Sequence, residues 1–302
     1  MPAYEFVTVD VFTDRRFGGN PLAVFPDARG LTSEEMQSIA AEFNLSETTF
    51  VLPPNDPKFH AQVRIFSTRA ELPFAGHPNV GTGFVLARRD SSSPEHFTFE
   101  EKAGPVRVHV QRAGDGTVIG ARIAAPRSLT IEDDVPIDVV AACAGLSADD
   151  IATGAHTPLV ATVGMPFVIA EVADVATLSR SAPEFGAFRS AAARFEKIAA
   201  HFSLHLYAWD SSGDRRIRAR MFSPLSGVVE DPATGSANAA LAALLTSLAP
   251  GVNVNLTYEI EQGIEMGRPS RIIASARKTG EGPVSASIAG DCVPVMRGWL
   301  EL

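Results

Sequence analysis

Most of the residues best suited to chemistry in this chain stand in two similar segments, each reading Glu-x-Pro-x-x-Gly-x-x-Asn, and two more, Ser46 and Glu47, precede the first segment. A carboxylate and an imidazole can exchange protons with a substrate, and hydroxyl and backbone N–H groups at a helix start can hold a carboxylate. This combination suits a site that binds a small carboxylate molecule beside titratable side chains. The candidates are Ser46, Glu47, Gly76, His77, Asp231, Gly235 and Ser236.

The two segments, Glu71–Asn79 and Glu230–Asn238, belong to an internal repeat with a spacing of 159 residues. Ile39–Leu45 matches Ile198–Leu204 at five of seven positions. A further match lies between these pairs, where Arg-x-Phe-Ser occurs once in each copy. Because the three matches occur in the same order, we interpret the chain as the product of a duplication.

The polar candidates stand at positions where the two copies differ. At the same offset, Glu47 lies opposite Leu206, and His77 lies opposite Ser236. A duplicated chain usually closes with pseudo-twofold symmetry, so the two Pro-x-x-Gly loops are expected to face each other across a cleft between the halves. The differences then predict one active site in that cleft, built from both halves.

Plainer interpretations stay open for each of these residues. Glu47 could be a solvated carboxylate, and His77 a helix-capping or core histidine. Asp231 could be a helix N-cap, and Ser236 a serine that bonds the helix backbone. The glycines could simply allow tight strand-to-helix turns.

Hydrophobic periodicity indicates the elements that would position these residues. Many segments alternate like half-buried strands, and Thr32–Phe43 is typical of a helix with a capping box formed by Thr32 and Glu35. The apolar runs Val80–Ala87 and Ala239–Leu248 are too continuous for surface helices, so we expect helices buried on most sides. These patterns predict an α+β fold of two pseudo-symmetric halves, each a barrel-like mixed β-sheet wrapped around a central helix.

A boundary between the halves is predicted at Ala125–Asp138, which carries two prolines and an acidic cluster. This gives an N-terminal half at 1–126 and a C-terminal half at 127–302. The sequence leaves open whether the strand at 290–302 returns to pack on the first half.

Composition narrows the class of protein. The 302 residues carry 26 Lys+Arg against 35 Asp+Glu, a net charge of −9, which disfavours nucleic acids and anionic membranes as partners. No apolar run approaches the ~20 residues of a membrane helix, and no signal-peptide pattern is visible, so we expect a cytoplasmic protein. The sequence contains no Gly-x-Ser-x-Gly, phosphate-loop or His-Glu-x-x-His motif, and nothing in it demands a metal or other cofactor.

Five motifs together resemble the PhzF-like phenazine-biosynthesis family, and they span nearly the whole chain. The resemblance implies the diaminopimelate epimerase-like fold, a homodimer and no cofactor. The motifs are Phe17–Val24, Asn44–Thr48, Pro73–Pro78, Asp231–Ala237 and Gln262–Ser270.

The resemblance also implies roles for single residues. Glu47 is similar to the family glutamate that acts as general base and acid, and His77 and Asp231 fall on other active-site positions, as does Ser236. In the epimerases and proline racemases of this fold, two cysteines exchange the proton. Ala75 and Thr234 stand at those places here, so two-thiol chemistry is not expected.

The leading hypothesis is a cofactor-independent isomerase of a small, amino acid-like carboxylate. In this hypothesis Ser46 and Ser236, with the amides around Gly76 and Gly235, hold the substrate carboxylate. Two alternatives stay open: a lyase or dehydratase that uses the same glutamate base, and a non-catalytic protein that binds a small ligand.

Overall fold

A computed structural model describes residues 2–90 and 92–302, and the chain divides into two compact units. The first unit contains the chain up to Ala124 together with Ala289–Leu302, and the second unit contains Ala125–Ile288. The last strand therefore contributes most of its length to the first unit.

The helices of the first unit are α1 (Ser33–Phe43) and α2 (Gly76–Arg89), and its strands up to Ala124 are β1 (Ala3–Val11), β2 (Asn20–Phe25), β3 (Glu47–Leu52), β4 (Ala61–Phe66), β5 (Glu71–Leu72), β6 (His96–Glu101), β7 (Gly104–Arg112) and β8 (Val118–Ala124). The strands from Thr130 onward are β9 (Thr130–Asp134), β10 (Ile151–Ala152), β11 (Leu159–Thr162), β12 (Pro166–Val172), β13 (Leu204–Trp209), β14 (Arg216–Ser223), β15 (Val228–Asp231), β16 (Asn253–Gln262), β17 (Ser270–Thr279) and β18 (Ser285–Glu301). The helices of the second unit are α3 (Ile137–Ala144), α4 (Val175–Arg180), α5 (Phe185–Arg194) and α6 (Gly235–Leu248), with short 3₁₀ helices at Ala148–Asp150, Glu196–His201 and Pro224–Ser226.

The strands of the first unit form a closed barrel of eight strands. In order around the barrel these are β1, β2, β3, β4, β6, β7, β8 and β18, which pairs with both β8 and β1. The pairs β2–β3 and β4–β6 are parallel, whereas β3–β4, β6–β7 and β7–β8 are antiparallel. The mixed sheet follows from crossovers through α1 and α2, since parallel neighbours need such a connection.

Helix α2 lies inside this barrel and is buried on nearly all sides. Two glycines permit the close packing. A Cβ at Gly81 would lie 2.6 Å from Cδ2 of Leu22, and a Cβ at Gly83 would lie 2.6 Å from Cγ1 of Val108. The Gly-x-Gly pair therefore serves helix-to-sheet contact in this fold.

Helix α1 packs on the other face of the same sheet. Thr32 and Glu35 form the predicted capping box, and Met36 and Ile39 pack in an apolar cluster that includes Phe50. The prediction of this helix from the sequence is confirmed.

The second unit repeats the same arrangement around α6. Strands β12–β13 and β14–β16 are parallel, and β11–β12, β13–β14 and β16–β17 are antiparallel. Helix α6 is buried like α2, while α3, α4 and α5 pack against a second apolar cluster of this unit. Both predicted buried helices are present, but each begins at its Pro-x-x-Gly glycine, four residues before the apolar run.

An ion pair shows how closely the two units correspond. Arg64 on β4 donates two hydrogen bonds to Glu71 on β5, at 2.8 and 3.0 Å. Arg220 on β14 donates two to Glu230 on β15, both at 2.8 Å. The predicted fold class, an α+β protein with barrel-like sheets around central helices, is confirmed.

Candidate functional site

Glu47 is the first residue of β3, and the parallel register with β2 places it beside Leu22. Its side chain is only 19% exposed. The residue before it, Ser46, is half-buried in the turn that follows α1. Glu47 is therefore a largely enclosed carboxylate at a strand start, which is unlike a solvated surface group.

His77, the second residue of α2, is the nearest imidazole to this carboxylate. Its Nε2 lies 3.4 Å from Oε2 of Glu47, and its side chain is 6% exposed. Burial lowers the pKa of His77 to about 3, and a hydrogen bond to the backbone of Pro21 only partly opposes this effect. The ring is neutral at physiological pH, and the nitrogen that faces Glu47 is the one not bonded to Pro21.

The contact between these two groups has a chemical consequence. A neutral imidazole that donates to a carbonyl through one nitrogen presents a bare lone pair on the other. The lone pair of His77 and a carboxylate oxygen of Glu47 attract each other only when a proton lies between them. A proton supplied to either group could therefore be shared by the two.

The start of α2 offers further polar groups beside this pair. The N-cap residue Ala75 has no side chain able to cap the helix, and Gly76 is buried at the first helical position. The first N–H groups of a helix carry partial positive charge and lack intrahelical partners. A substrate carboxylate can occupy the place that a capping side chain fills in other helices.

In the second unit Asp231 ends β15 and is 7% exposed. Its Oδ2 accepts a 2.6 Å hydrogen bond from Oγ1 of Thr234. The N-cap of α6 is Thr234, so Asp231 does not cap this helix. Gly235 and the half-buried Ser236 are the first two residues of α6, in the places that Gly76 and His77 occupy in α2.

Gln262 holds the loop that carries Asp231. Its Nε2 donates to the backbone oxygen of Asp231 at 2.8 Å, and its Oε1 accepts from the backbone N–H of Thr234 at 3.2 Å and from Nδ2 of Asn238 at 2.7 Å. A buried carboxamide that uses both its donor and its acceptor fixes its neighbours firmly. Gln262 belongs to the fifth motif, whose structural role the sequence did not reveal.

Two other residues of that motif, Gly263 and Ser270, contact the same loop. Gly263 has φ +75°, and a Cβ there would lie 2.6 Å from the backbone oxygen of Pro232. Ser270 donates to that oxygen at 2.8 Å. The motif therefore fixes the Asp231–Gly235 loop through contacts with the backbone of Pro232. These contacts explain why the motif has a glycine at position 263 and a serine at position 270.

The two cysteines belong to elements other than the two Pro-x-x-Gly loops. Cys143 is buried in α3 and Cys292 in β18, and burial raises the pKa of both thiols, that of Cys143 to about 12. Ala75 and Thr234, at the places of the racemase cysteines, are the N-caps of α2 and α6. Neither buried thiol is placed to exchange a proton with a substrate.

Sequence reasoning also missed Glu101, a buried carboxyl group at the end of β6. Strict alternation along this strand could have found it, because Phe97, Phe99 and Glu101 share one inward face. A charged residue type in a buried row is an informative exception.

The structure thus brings Glu47 and His77 into contact, with Ser46 and Gly76 beside them, and it places Asp231, Gly235 and Ser236 on one loop and helix start. Barrels wrapped around a central helix define the diaminopimelate epimerase-like class of α+β proteins, and the candidate site has titratable and polar groups at or near the helix starts.

Comparison with known proteins narrows this class. Residues 9–298 match the family described as "Phenazine biosynthesis-like protein". The chain is 35% identical to the trans-2,3-dihydro-3-hydroxyanthranilate isomerase of Pseudomonas aeruginosa, over 95% of this chain and 96% of that protein. It is 38% identical to an uncharacterised isomerase of Mesorhizobium japonicum, over 99% of each. A Bacillus anthracis PhzF-family crystal structure matches with a TM-score of 0.87 and 25% identity over 100% of both chains.

The chain belongs to the phenazine biosynthesis-like, or PhzF, family, and it is an isomerase. The family and the enzyme class that the motifs predicted are confirmed. Among residues 2–90 and 92–302, no helix is long and apolar enough to span a membrane.

Proposed function

We propose that the protein is a cofactor-independent isomerase that moves a hydrogen within a small, amino acid-like carboxylate. The observation that carries the proposal is the contact between Glu47 and His77 at the start of α2. The named activity of the Pseudomonas aeruginosa relative makes trans-2,3-dihydro-3-hydroxyanthranilate the first substrate to test.

In the proposed reaction Glu47 takes a proton from a ring carbon of the substrate. The electron pair of that C–H bond shifts through the neighbouring double bonds. Glu47 then returns the proton to another ring carbon, so a new C–H bond forms and the mass is unchanged. One carboxyl group can serve both steps because its enclosure limits exchange with bulk water.

His77 supports this transfer as a neutral base beside the carboxyl group. When Glu47 carries the substrate's proton, that proton can bond to Nε2 of His77, which keeps it in place until it is returned. The backbone bond to Pro21 holds the ring in the tautomer that this role needs.

Donors at the helix starts are proposed to bind a substrate carboxylate. In the first unit the proposed donors are Ser46 and the amides around Gly76. In the second unit, taken by itself, the proposed donors are Ser236 and the amides around Gly235, and Asp231 is proposed to bind a substrate hydroxyl or amino group. We also propose that the enzyme works as a homodimer, which light scattering coupled to size exclusion tests directly.

The test is proton NMR in D₂O of the wild type and of the Glu47→Gln variant with trans-2,3-dihydro-3-hydroxyanthranilate. We expect the wild type to convert the substrate without change of mass apart from deuterium. The variant should lose roughly 10²–10⁴-fold in rate, the usual contribution of a general acid and base. The matched control is Glu42→Gln, at an exposed carboxylate of α1.

Two results would contradict the proposal. Equal conversion by the Glu47→Gln variant removes Glu47 as the base. Release of water or ammonia, seen as a lower product mass, contradicts the proposed hydrogen shift and favours the lyase or dehydratase alternative for this substrate. If trans-2,3-dihydro-3-hydroxyanthranilate is inert, a screen of small amino and hydroxy acids for deuterium uptake that depends on Glu47 tests the same mechanism on another substrate.

A further inference from the structure

Glu101 in the first unit corresponds to Gln262 in the second. In the strand pairs, Gln62 lies opposite Glu100, and Arg218 lies opposite Glu261. Gln62 stands two residues before Arg64 on β4, as Arg218 stands two residues before Arg220 on β14. The next residue along β6 is Glu101, and the next along β16 is Gln262.

The surroundings of the two residues correspond as well. Nδ2 of Asn79 donates to the backbone oxygen of Ala75 at 3.0 Å, and Nδ2 of Asn238 donates to that of Thr234 at 3.0 Å. The turn after β6 bonds to the backbone oxygen of Pro73 through the N–H of Ala103, while the turn after β16 lies against Pro232. The carboxyl group of Glu101 therefore stands where a carboxamide stands in the other unit.

One difference leaves polar atoms without partners. In the second unit Oδ1 of Asn238 lies 3.1 Å from Nε2 of His205. At the 159-residue offset His205 is replaced by Ser46. Among the described residues, Oδ1 of Asn79 and both carboxyl oxygens of Glu101 are buried and have no hydrogen-bond partner.

A single proton on Glu101 would pair one of its carboxyl oxygens with Oδ1 of Asn79, which accounts for two of these three acceptors. A protonated carboxyl group can both donate and accept, as the carboxamide of Gln262 does, whereas an ionised one only accepts. A buried carboxylate without a donor or a cation is among the most costly groups in a protein interior. The Asn79 side chain is close enough to influence Glu101.

We propose that Glu101 is a positioning residue that keeps its proton in the folded enzyme, donates it to Oδ1 of Asn79, and thereby holds the Ala75–His77 segment that presents the catalytic pair. Asn79 transmits the constraint, because its Nδ2 bonds to Ala75, the residue that precedes Gly76 and His77. The catalytic part of this statement rests on the proposed function, whereas the protonation of Glu101 does not.

The electrostatic environment supports the neutral form. Burial raises the pKa of Glu101 to about 8, and the Asn79 side chain opposes this only in part. His77 on α2 is neutral at the same pH. The charged groups on the neighbouring elements have other partners: Glu100 with Asn55, Lys102 and Arg64 with Glu71, and Arg107 with His96.

The first test needs no substrate. Infrared spectra of the wild type and of the Glu101→Gln variant are compared at pH 6.5 and pH 9.5. We expect the C=O band of a protonated carboxylic acid in the wild type at pH 6.5, its loss at pH 9.5, and its absence from the variant at both. Glu100→Gln is the matched control and should keep the band. A wild type without this band, or a variant that retains it, overturns the proposal.

The second test is the pH profile of the isomerase. With a pKa of about 8, the protonated fraction of Glu101 falls about tenfold between pH 7 and pH 9, and kcat/KM should fall with it. Glu101→Gln, which keeps a donor, should hold the activity of pH 7 and lose this alkaline decline. Glu101→Leu, which has no donor, should be impaired at both. An unchanged alkaline decline in Glu101→Gln contradicts the positioning role even if the infrared band is present.

Discussion

The Oε2 of Glu47 and the Nε2 of His77 lie 3.4 Å apart, and the imidazole cannot take a charge at physiological pH. A proton bound to either atom could be shared with the other, as the proposed function requires. The short distance between the two side chains depends on the parallel register of β2 and β3, because this register places Glu47 beside Leu22. The preceding residue, Pro21, bonds the imidazole of His77 through its backbone and so orients the ring.

Replacement of His77 by Gln is predicted to lower kcat more than it changes KM. The loss of a hydrogen bond to an ionisable partner costs about 1.5–3 kcal/mol, which corresponds to roughly 10- to 100-fold in rate. The measurement is steady-state kinetics between pH 5 and pH 8. Because the pKa of His77 is about 3, its removal should not shift any limb of the profile in this range. A shifted limb would mean that the imidazole titrates during catalysis.

Buried neutral histidines are predicted to make the fold sensitive to acid. Burial lowers the pKa of His205 to about 4, from 6.5 in the unfolded chain. The unfolded state therefore binds a proton first, so the stability from this group is complete above pH 6.5 and falls as the pH decreases toward 4, by about 3 kcal/mol. His205→Gln should flatten this part of the urea-unfolding profile. His60→Gln, at an exposed ring, should leave it unchanged, and equal slopes in all three proteins would contradict the assignment.

Gly81→Ala is predicted to destabilise the first unit. The new Cβ would lie 2.6 Å from Leu22 and 2.8 Å from Val11, so α2 or the strands must shift, at a cost of about 1–3 kcal/mol. Gly114→Ala is the control, because a Cβ there meets no atom within 4 Å. Thermal unfolding of both variants gives the comparison. A Gly81→Ala protein as stable as the control would show that the barrel is not closely packed on this helix.

Thr234→Val is predicted to weaken both activity and stability. The variant keeps the shape of the side chain but loses the 2.6 Å bond to Asp231 and the 3.0 Å bond from Gln262. A charge-assisted bond of this kind contributes about 1.5–3 kcal/mol. Thr257→Val removes an exposed hydroxyl pair with Ser275 and should have little effect on either quantity. If Thr234→Val loses stability while kcat/KM is unchanged, the loop serves the fold and not the reaction.

Much of the fold could be predicted from the sequence because helix caps and strand alternation depend on residues that are close together in the chain. The capping box of α1 depends on residues three apart, and alternation along β4 and β14 depends on side chains two apart. The duplication carried these signals twice, which made the central helices and the fold class recognisable. The apolar run predicts a start for α2 that lies four residues too far along the chain, because Gly76 and His77, which precede the run, are small or polar.

What the sequence by itself determined was the set of polar candidate residues, because they stand at positions where two otherwise similar copies differ. Only the tertiary structure decided what these residues touch. The neutral state of His77 comes from burial inside a barrel, and the loop of Asp231 is set by Gln262, more than thirty positions downstream in the chain. Such contacts depend on strand register and on enclosure from several sides. These are properties of the closed sheet and cannot be read from neighbouring residues alone.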